Sequence, residues 1–278
     1  MASVTQRIKE IKQPRGGYIK PSDFEKTVLN DGKNLCDKEN VHGSIIGMVV
    51  DYMTRFVLNR DKEKAFLVSI MGAKSAVKFG QEEAMSIASK LLDGINGLND
   101  ESIINACKLV TFDVWYRNPM AAFLAKDWED TNPDQMTICN IIILIERSIT
   151  FFKKYGPITC DCFTFEPEDD FSEECETMIK ARKGNFGGYT ATVDTGDGDF
   201  LTEDTLWDFK VSKSNPTNRH TLQLLMYWIM GQHSGRDEFK KIKKLGIFNP
   251  RLNIVYLYSV DNVPKKIIKE IERDVICY

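Results

Sequence analysis

Apolar positions recur at helical spacing through the first half of the chain and at strand spacing through much of the second. Ile45, Ile46, Val49, Val50, Met53 and Phe56 fall on one face of a predicted helix from Val41 to about Asn59, with Asn40 placed to cap it. Similar patterns predict helices over 63–79, 82–92 (ending at Gly94) and 101–116, the last stopped by Pro119. Thr131-Asn132-Pro133 reads as a cap with proline in the first turn, opening a strongly apolar helix that runs to Phe152.

At Tyr155-Gly156-Pro157 the period changes. PITCDCFTFEPE reads as a strand, EDDFSEECE as an acidic loop, and GGYTATVDT as a second strand. GDGDFLTEDTLWDFKVSK then makes a hairpin around TEDT. Asn218 caps a helix that ends at Ser234-Gly235, LGIFN and NIVYLYSV form another hairpin around Pro250-Arg251, and Pro264 opens a last helix. The expected fold is α/β in the α+β sense. A mainly helical region, residues 1–156, is followed by an α/β region, residues 157–278, ordered β-β-β-α-β-β-α.

Composition narrows the class without naming it. The 278 residues are 42% hydrophobic and 28% charged, with a net charge of −3. That balance excludes a surface coated throughout by nucleic acid but permits a local basic groove beside an acidic site. RDEFKKIKKLG, KARKGN and VPKKIIKEIER read as solvated helix faces. No apolar run reaches the expected length of a membrane span, and MASVTQRIKEIKQPRGG lacks a secretory apolar segment. Seven cysteines without framework spacing complete the expectation of a cytoplasmic protein with no membrane contact. Cys160, Cys162 and Cys175 have no fourth ligand at zinc spacing and read as small core residues. His42, His220 and His233 show neither metal nor triad spacing.

The chemistry concentrates on the first hairpin. Side chains two apart in a strand share a face, so Asp208 lies with Lys210 while Trp207 and Phe209 turn to the other side. The hairpin brings Asp199 across to Asp208. Two converging carboxylates repel, and an oxygen-only set calls for Mg2+ or Mn2+. Asp199 and Asp208 would hold the metal, and Lys210 would position or activate water or stabilise a transition-state phosphate. Just past the strand, Lys213 and Arg219 are candidate phosphate contacts.

Three pieces then resemble the PD-(D/E)XK nuclease superfamily, in its RecB-like exonuclease branch. They are Gly196-Asp197-Gly198-Asp199, Leu206-Trp207-Asp208-Phe209-Lys210, and Gln223 with Tyr227 four residues on, where the family has Gln-x-x-x-Tyr. The resemblance covers roughly the last two-fifths of the chain. It implies a three-layer αβα core with a large helical insertion, a core that can take in the helix at 41–59, and DNA hydrolysis, exonucleolytic rather than endonucleolytic. It also implies a further acid on the preceding strand, best matched by Glu166, and substrate contact or support from Gln223 and Tyr227. The family's Gly and His on its first helix are here Gly43 and Gly47, and the proline before the first acid is missing. A lone Cys277 at the C-terminus predicts no iron–sulfur cluster. The helical half is expected to offer a surface to a protein partner. The alternative is a catalytically inactive nuclease-fold module that binds nucleic acid or protein, in phage biology or a defence system.

Overall fold

The computed structural model describes residues 2–165 and 187–278. The chain forms two compact units. One takes Met1–Leu29, Phe152–Lys210 and Ser214–Tyr278, and the other Asn30–Phe151 with Val211–Lys213. Residues 1–29, grouped by sequence with the helical half, therefore belong to the α/β unit.

The α/β unit is built on eight described strands: β1 (Ala2–Ser3), β2 (Glu25–Val28), β3 (Cys160–Thr164), β4 (Val193–Thr195), β5 (Asp197–Leu201), β6 (Thr205–Phe209), β7 (Lys244–Asn249) and β8 (Ile254–Ser259). β1 and β4 pair in parallel, and the other six make one mixed sheet in the order β2-β8-β7-β6-β5-β3. Only β6 and β7 run parallel within it, joined by the helix Asn218–His233; every other neighbour is antiparallel. A parallel step needs such a crossover, whereas the antiparallel steps close through short turns or distant segments.

Alternation sorts the sheet into two apolar faces. Leu201, Leu206, Leu245, Ile247 and Tyr256 join one cluster with Leu222, Leu225 and Met226 of the helix Asn218–His233. On the other face Phe200 stacks on Trp207, Phe152 meets Phe200 at 5.0 Å, and Tyr155 meets Trp207 at 5.6 Å. Val4 and Ile8 of the helix Val4–Glu10 are buried in the first cluster, which is why the N-terminal segment travels with this unit.

The helical unit follows the apolar periodicity, with breaks the periodicity does not mark. The expected 63–79 helix divides at Phe66 into Lys62–Ala65 and Leu67–Lys78. The 101–116 helix becomes Asp100–Leu109, a 3-10 turn, and Asp113–Arg117. His42, not Asn40, caps Gly43–Asn59. Asn40 instead accepts from the Asp134 N–H and the Thr137 hydroxyl, holding its segment to the start of the helix Gln135–Tyr155. That helix carries a polar line along an apolar body. Thr137 bonds the Asn40 N–H, Asn140 bonds both main-chain groups of Cys36, and Arg147 grips Asp31 at 2.7 and 3.0 Å. Contrary to the composition reading, this helix is long and apolar enough to cross a membrane, but half of its apolar window is buried inside the protein. A buried Asp113, accepting from Tyr52 at 2.6 Å and Ser69 at 2.5 Å, pins three of the unit's helices.

Candidate functional site

The hairpin of β5 and β6 forms as expected. Leu201 faces Leu206 and Phe200 faces Trp207, and Thr202 N–H reaches Thr205 O at 3.0 Å. Asp204 stabilises the turn instead of adding to the chemistry. Its carbonyl accepts from Lys243 and Lys244, and its carboxylate lies 3.0 Å from Lys244 Nζ. The two glycines before Asp199 are there for lack of a side chain. A Cβ on Gly196 would lie 2.8 Å from Val4 and 3.3 Å from Tyr227, and one on Gly198 would lie 1.9 Å from Phe163 Cζ.

This register sets Asp199 opposite Asp208. The strand ladder ends at Phe200–Trp207, and the next inward N–H, that of Phe209, donates to Asp199 Oδ2 at 2.5 Å. The carboxylate takes the place of a main-chain acceptor and is thereby fixed. Asp208 sits between β5 and β7, opposite Ile247, and is 2% exposed. Its Oδ1 lies 2.7 Å from Lys210 Nζ, while its Oδ2 is buried and has no hydrogen-bond partner among the described residues. Lys210 is aimed by its own N–H, which donates to Phe248 O at 2.9 Å. Burial pulls the Lys210 ammonium down, but Asp208 and Asp199 together outweigh it, and the net shift is upward. Lys210 is held charged.

The helix Asn218–His233 lies over the same face. Tyr227 Oη donates to Asp197 O at 2.6 Å and accepts from Gln223 Nε2 at 3.0 Å. Burial pushes the Tyr227 phenol well up, and the nearby Asp208, Asp199 and Asp197 add to that. Gln223 and Tyr227 thus brace the start of β5. His220, passed over by sequence reasoning, shares this face. Its ionisation is shifted down first by burial and then by Lys210, with Asp208 opposing. Its Nδ1 accepts from the Thr217 N–H at 3.1 Å, so the neutral ring carries its proton on Nε2. The spacing of His220, Gln223 and Tyr227, three and then four residues apart, was the available signal.

The remaining candidates are placed differently. Lys213 belongs to the helical unit, where its Nζ lies 3.5 Å from both Glu39 Oε2 and Asp37 O. Arg219 is exposed on the first turn of the helix Asn218–His233. Glu166 lies outside the described residues, as does Cys175. Gly43, Gly47 and the rest of their helix belong to the helical unit, where Gly47 faces Val211. Among the described residues no group of three or more His, Cys, Asp or Glu side chains is placed to hold a metal ion. Two carboxylates remain, one with an unpartnered buried oxygen, and that oxygen set suits a hard divalent cation.

No family model, curated protein or solved structure matches this chain.

Proposed function

We propose that this chain is a PD-(D/E)XK-type nuclease with a RecB-like site, hydrolysing DNA phosphodiester bonds with Mg2+ or Mn2+. Asp208 carries the reading. A carboxylate 2% exposed in an apolar face, with one oxygen on Lys210 and the other unpartnered among the described residues, is costly to keep. A divalent cation held by Asp208 and Asp199 offsets that cost. Support also comes from order: the Asp199 strand, the Asp208-Phe209-Lys210 strand, and the Gln223–Tyr227 helix follow one another and meet on one face.

When bound, the cation supplies polarisation of the scissile phosphate and a more acidic water. Lys210, held as an ammonium, stabilises charge developing on the phosphate. Neutral His220 presents an Nε2–H donor near that pair. Tyr227 and Gln223 keep β5, and so Asp199, in register. Glu166 is the further acid that the resemblance implies, and Arg219, exposed on the first turn of its helix, is a phosphate contact; Lys213, which pairs with Glu39 in the helical unit, is left out of the site. Exonucleolytic action and a cytoplasmic setting belong to the same proposal.

The test incubates the purified chain with linear single- and double-stranded DNA and Mn2+, beside Asp208→Ala and Lys210→Ala. Wild type is expected to degrade DNA, each variant at least about 100-fold more slowly. Equal cutting by all three proteins, or equal inertness, removes the assignment. Inert wild type that still binds DNA favours the non-catalytic binding module.

A further inference from the structure

Three side chains of the helix Asn218–His233 meet the candidate site, and they are used differently. Tyr227 gives its proton to Asp197 O at 2.6 Å, and Gln223 Nε2 reaches Tyr227 Oη at 3.0 Å, so both are engaged in holding β5. His220, nearer the helix start, is anchored by one nitrogen alone. Its Nδ1 accepts the Thr217 N–H at 3.1 Å, while its Nε2 has no hydrogen-bond partner among the described residues. The ring is half-buried. After burial, Lys210 and then Asp208 are the influences on its ionisation, so the ring shares its surroundings with the ion pair of the site.

An uncommitted imidazole nitrogen beside two carboxylates has three uses, and the first turn of the helix selects among them. To ligate a cation, Nε2 must offer its lone pair, and the ring proton must move to Nδ1. There it would face the Thr217 N–H, donor against donor, and undo the cap. To act as an acid, the ring must carry both protons. That form meets the same N–H and adds a positive charge near Lys210 and at a helix N-terminus. What remains is the neutral ring with its proton on Nε2. A neutral imidazole fixed at a helix start is a preorganised donor of the kind that stabilises a developing oxyanion.

We propose that His220 is a catalytic residue of the nuclease site, its Nε2–H donating to a non-bridging oxygen of the scissile phosphate alongside the Lys210 ammonium. This rests on the nuclease reading for the identity of that oxygen. No proton is transferred; the bond strengthens as charge gathers on the phosphate. A donor worth most in the transition state acts on kcat more than on KM. Thr217 is the positioning residue, through the N–H that fixes the ring.

The experiment measures cleavage of a linear DNA oligonucleotide in Mn2+, as single strand or duplex, whichever wild type cuts faster. Wild type, His220→Ala and His220→Gln are compared well below their melting temperatures. His220→Gln is the stability control, because glutamine at this position of a capping box accepts from the same N–H. In His220→Ala, kcat is expected to fall about 100-fold with KM within about twofold of wild type. Substrates carrying one sulfur at either non-bridging position locate the contact, since sulfur is the weaker acceptor. Sulfur at the oxygen that His220 holds should slow wild type and cost His220→Ala nothing further; sulfur at the other should slow both alike. Wild-type kcat in His220→Ala overturns the proposal. So do sulfur penalties that persist at both positions in His220→Ala, which would reduce His220 to a cap.

Nitrogen-15 NMR gives a readout without turnover. The metal-free chain at neutral pH should show Nδ1 bare and Nε2 protonated, and the Nε2–H resonance should move when DNA is bound in Ca2+. The reverse tautomer overturns the proposal. A chain that binds DNA, moves that resonance and never cuts removes the nuclease and keeps His220 on a phosphate. An inert chain whose Nε2–H is unmoved by DNA loses both readings, and a chain that cuts normally without His220 loses this inference alone.

Discussion

A carboxylate on a strand flanked by two others loses almost all of its hydration, and Asp208 does so with only one oxygen compensated. The contrast with Asp113 is instructive. That buried carboxylate has donors on both oxygens, and burial shifts its ionisation up. A carboxylate used for structure is saturated; Asp208 is not. The residues around it are specified just as locally. Replacing Tyr227 by Phe removes the bond to Asp197 O and leaves Gln223 Nε2 without its acceptor. The expected cost is about 1–2 kcal/mol of unfolding free energy in urea. Gly198→Ala drives a methyl to 1.9 Å from Phe163 Cζ, within a core that cannot expand freely, and should cost about 1–3 kcal/mol. Wild-type stability in Gly198→Ala would mean that β3 and β5 do not approach as described.

Among the elements, the helix Gln135–Tyr155 shows how a polar line fixes a loop. Arg147 donates to both oxygens of Asp31 and to Lys33 O. The Arg147 bonds to the carboxylate, with the Lys33 N–H that also donates to it, lower the Asp31 carboxyl from 3.8 to about 2. A lowered carboxyl stabilises the fold above its unfolded value, so this contribution is complete above about pH 4 and fades as pH falls through about 2. Because Asp31 is partly exposed, about 1 kcal/mol is the reasonable scale. Arg147→Met should therefore be destabilised at pH 7, and the gap to wild type in urea midpoints should narrow by pH 2. A gap that is constant with pH would assign the loss to packing or to the Lys33 bond. The same element explains what the sequence could and could not reveal. Its apolar period, the β5–β6 hairpin and the Asp208–Lys210 alternation are local patterns and are readable as such. β2, Glu-Lys-Thr-Val, has no apolar alternation, and its pairing with β8 spans most of the chain. Val4 and Ile8 give one helical repeat, too short to distinguish from chance. His220 has no partner at metal spacing, because its neighbours Asp208 and Lys210 come from another element.

At the scale of the molecule, the chain passes between its two units at residues 29–30, 151–152, 210–211 and 213–214. The proposed metal ligands Asp199 and Asp208 both lie in the α/β unit, as do Lys210, His220, Gln223 and Tyr227. A cation that binds only the folded state stabilises it by mass action, about 2.7 kcal/mol at 100 times its Kd. That energy is first felt by the openings that break the site. Mn2+ should therefore raise the melting temperature of wild type, and the rise should vanish in Asp199→Ala. In hydrogen exchange, added protection should concentrate in β5, β6 and the helix Asn218–His233, with little change across residues 30–151. Protection rising equally in both units would mean that they open only together, as one cooperative body. No shift in wild type would remove the cation from Asp199 and Asp208, and with it the reason for Asp208's unpartnered oxygen.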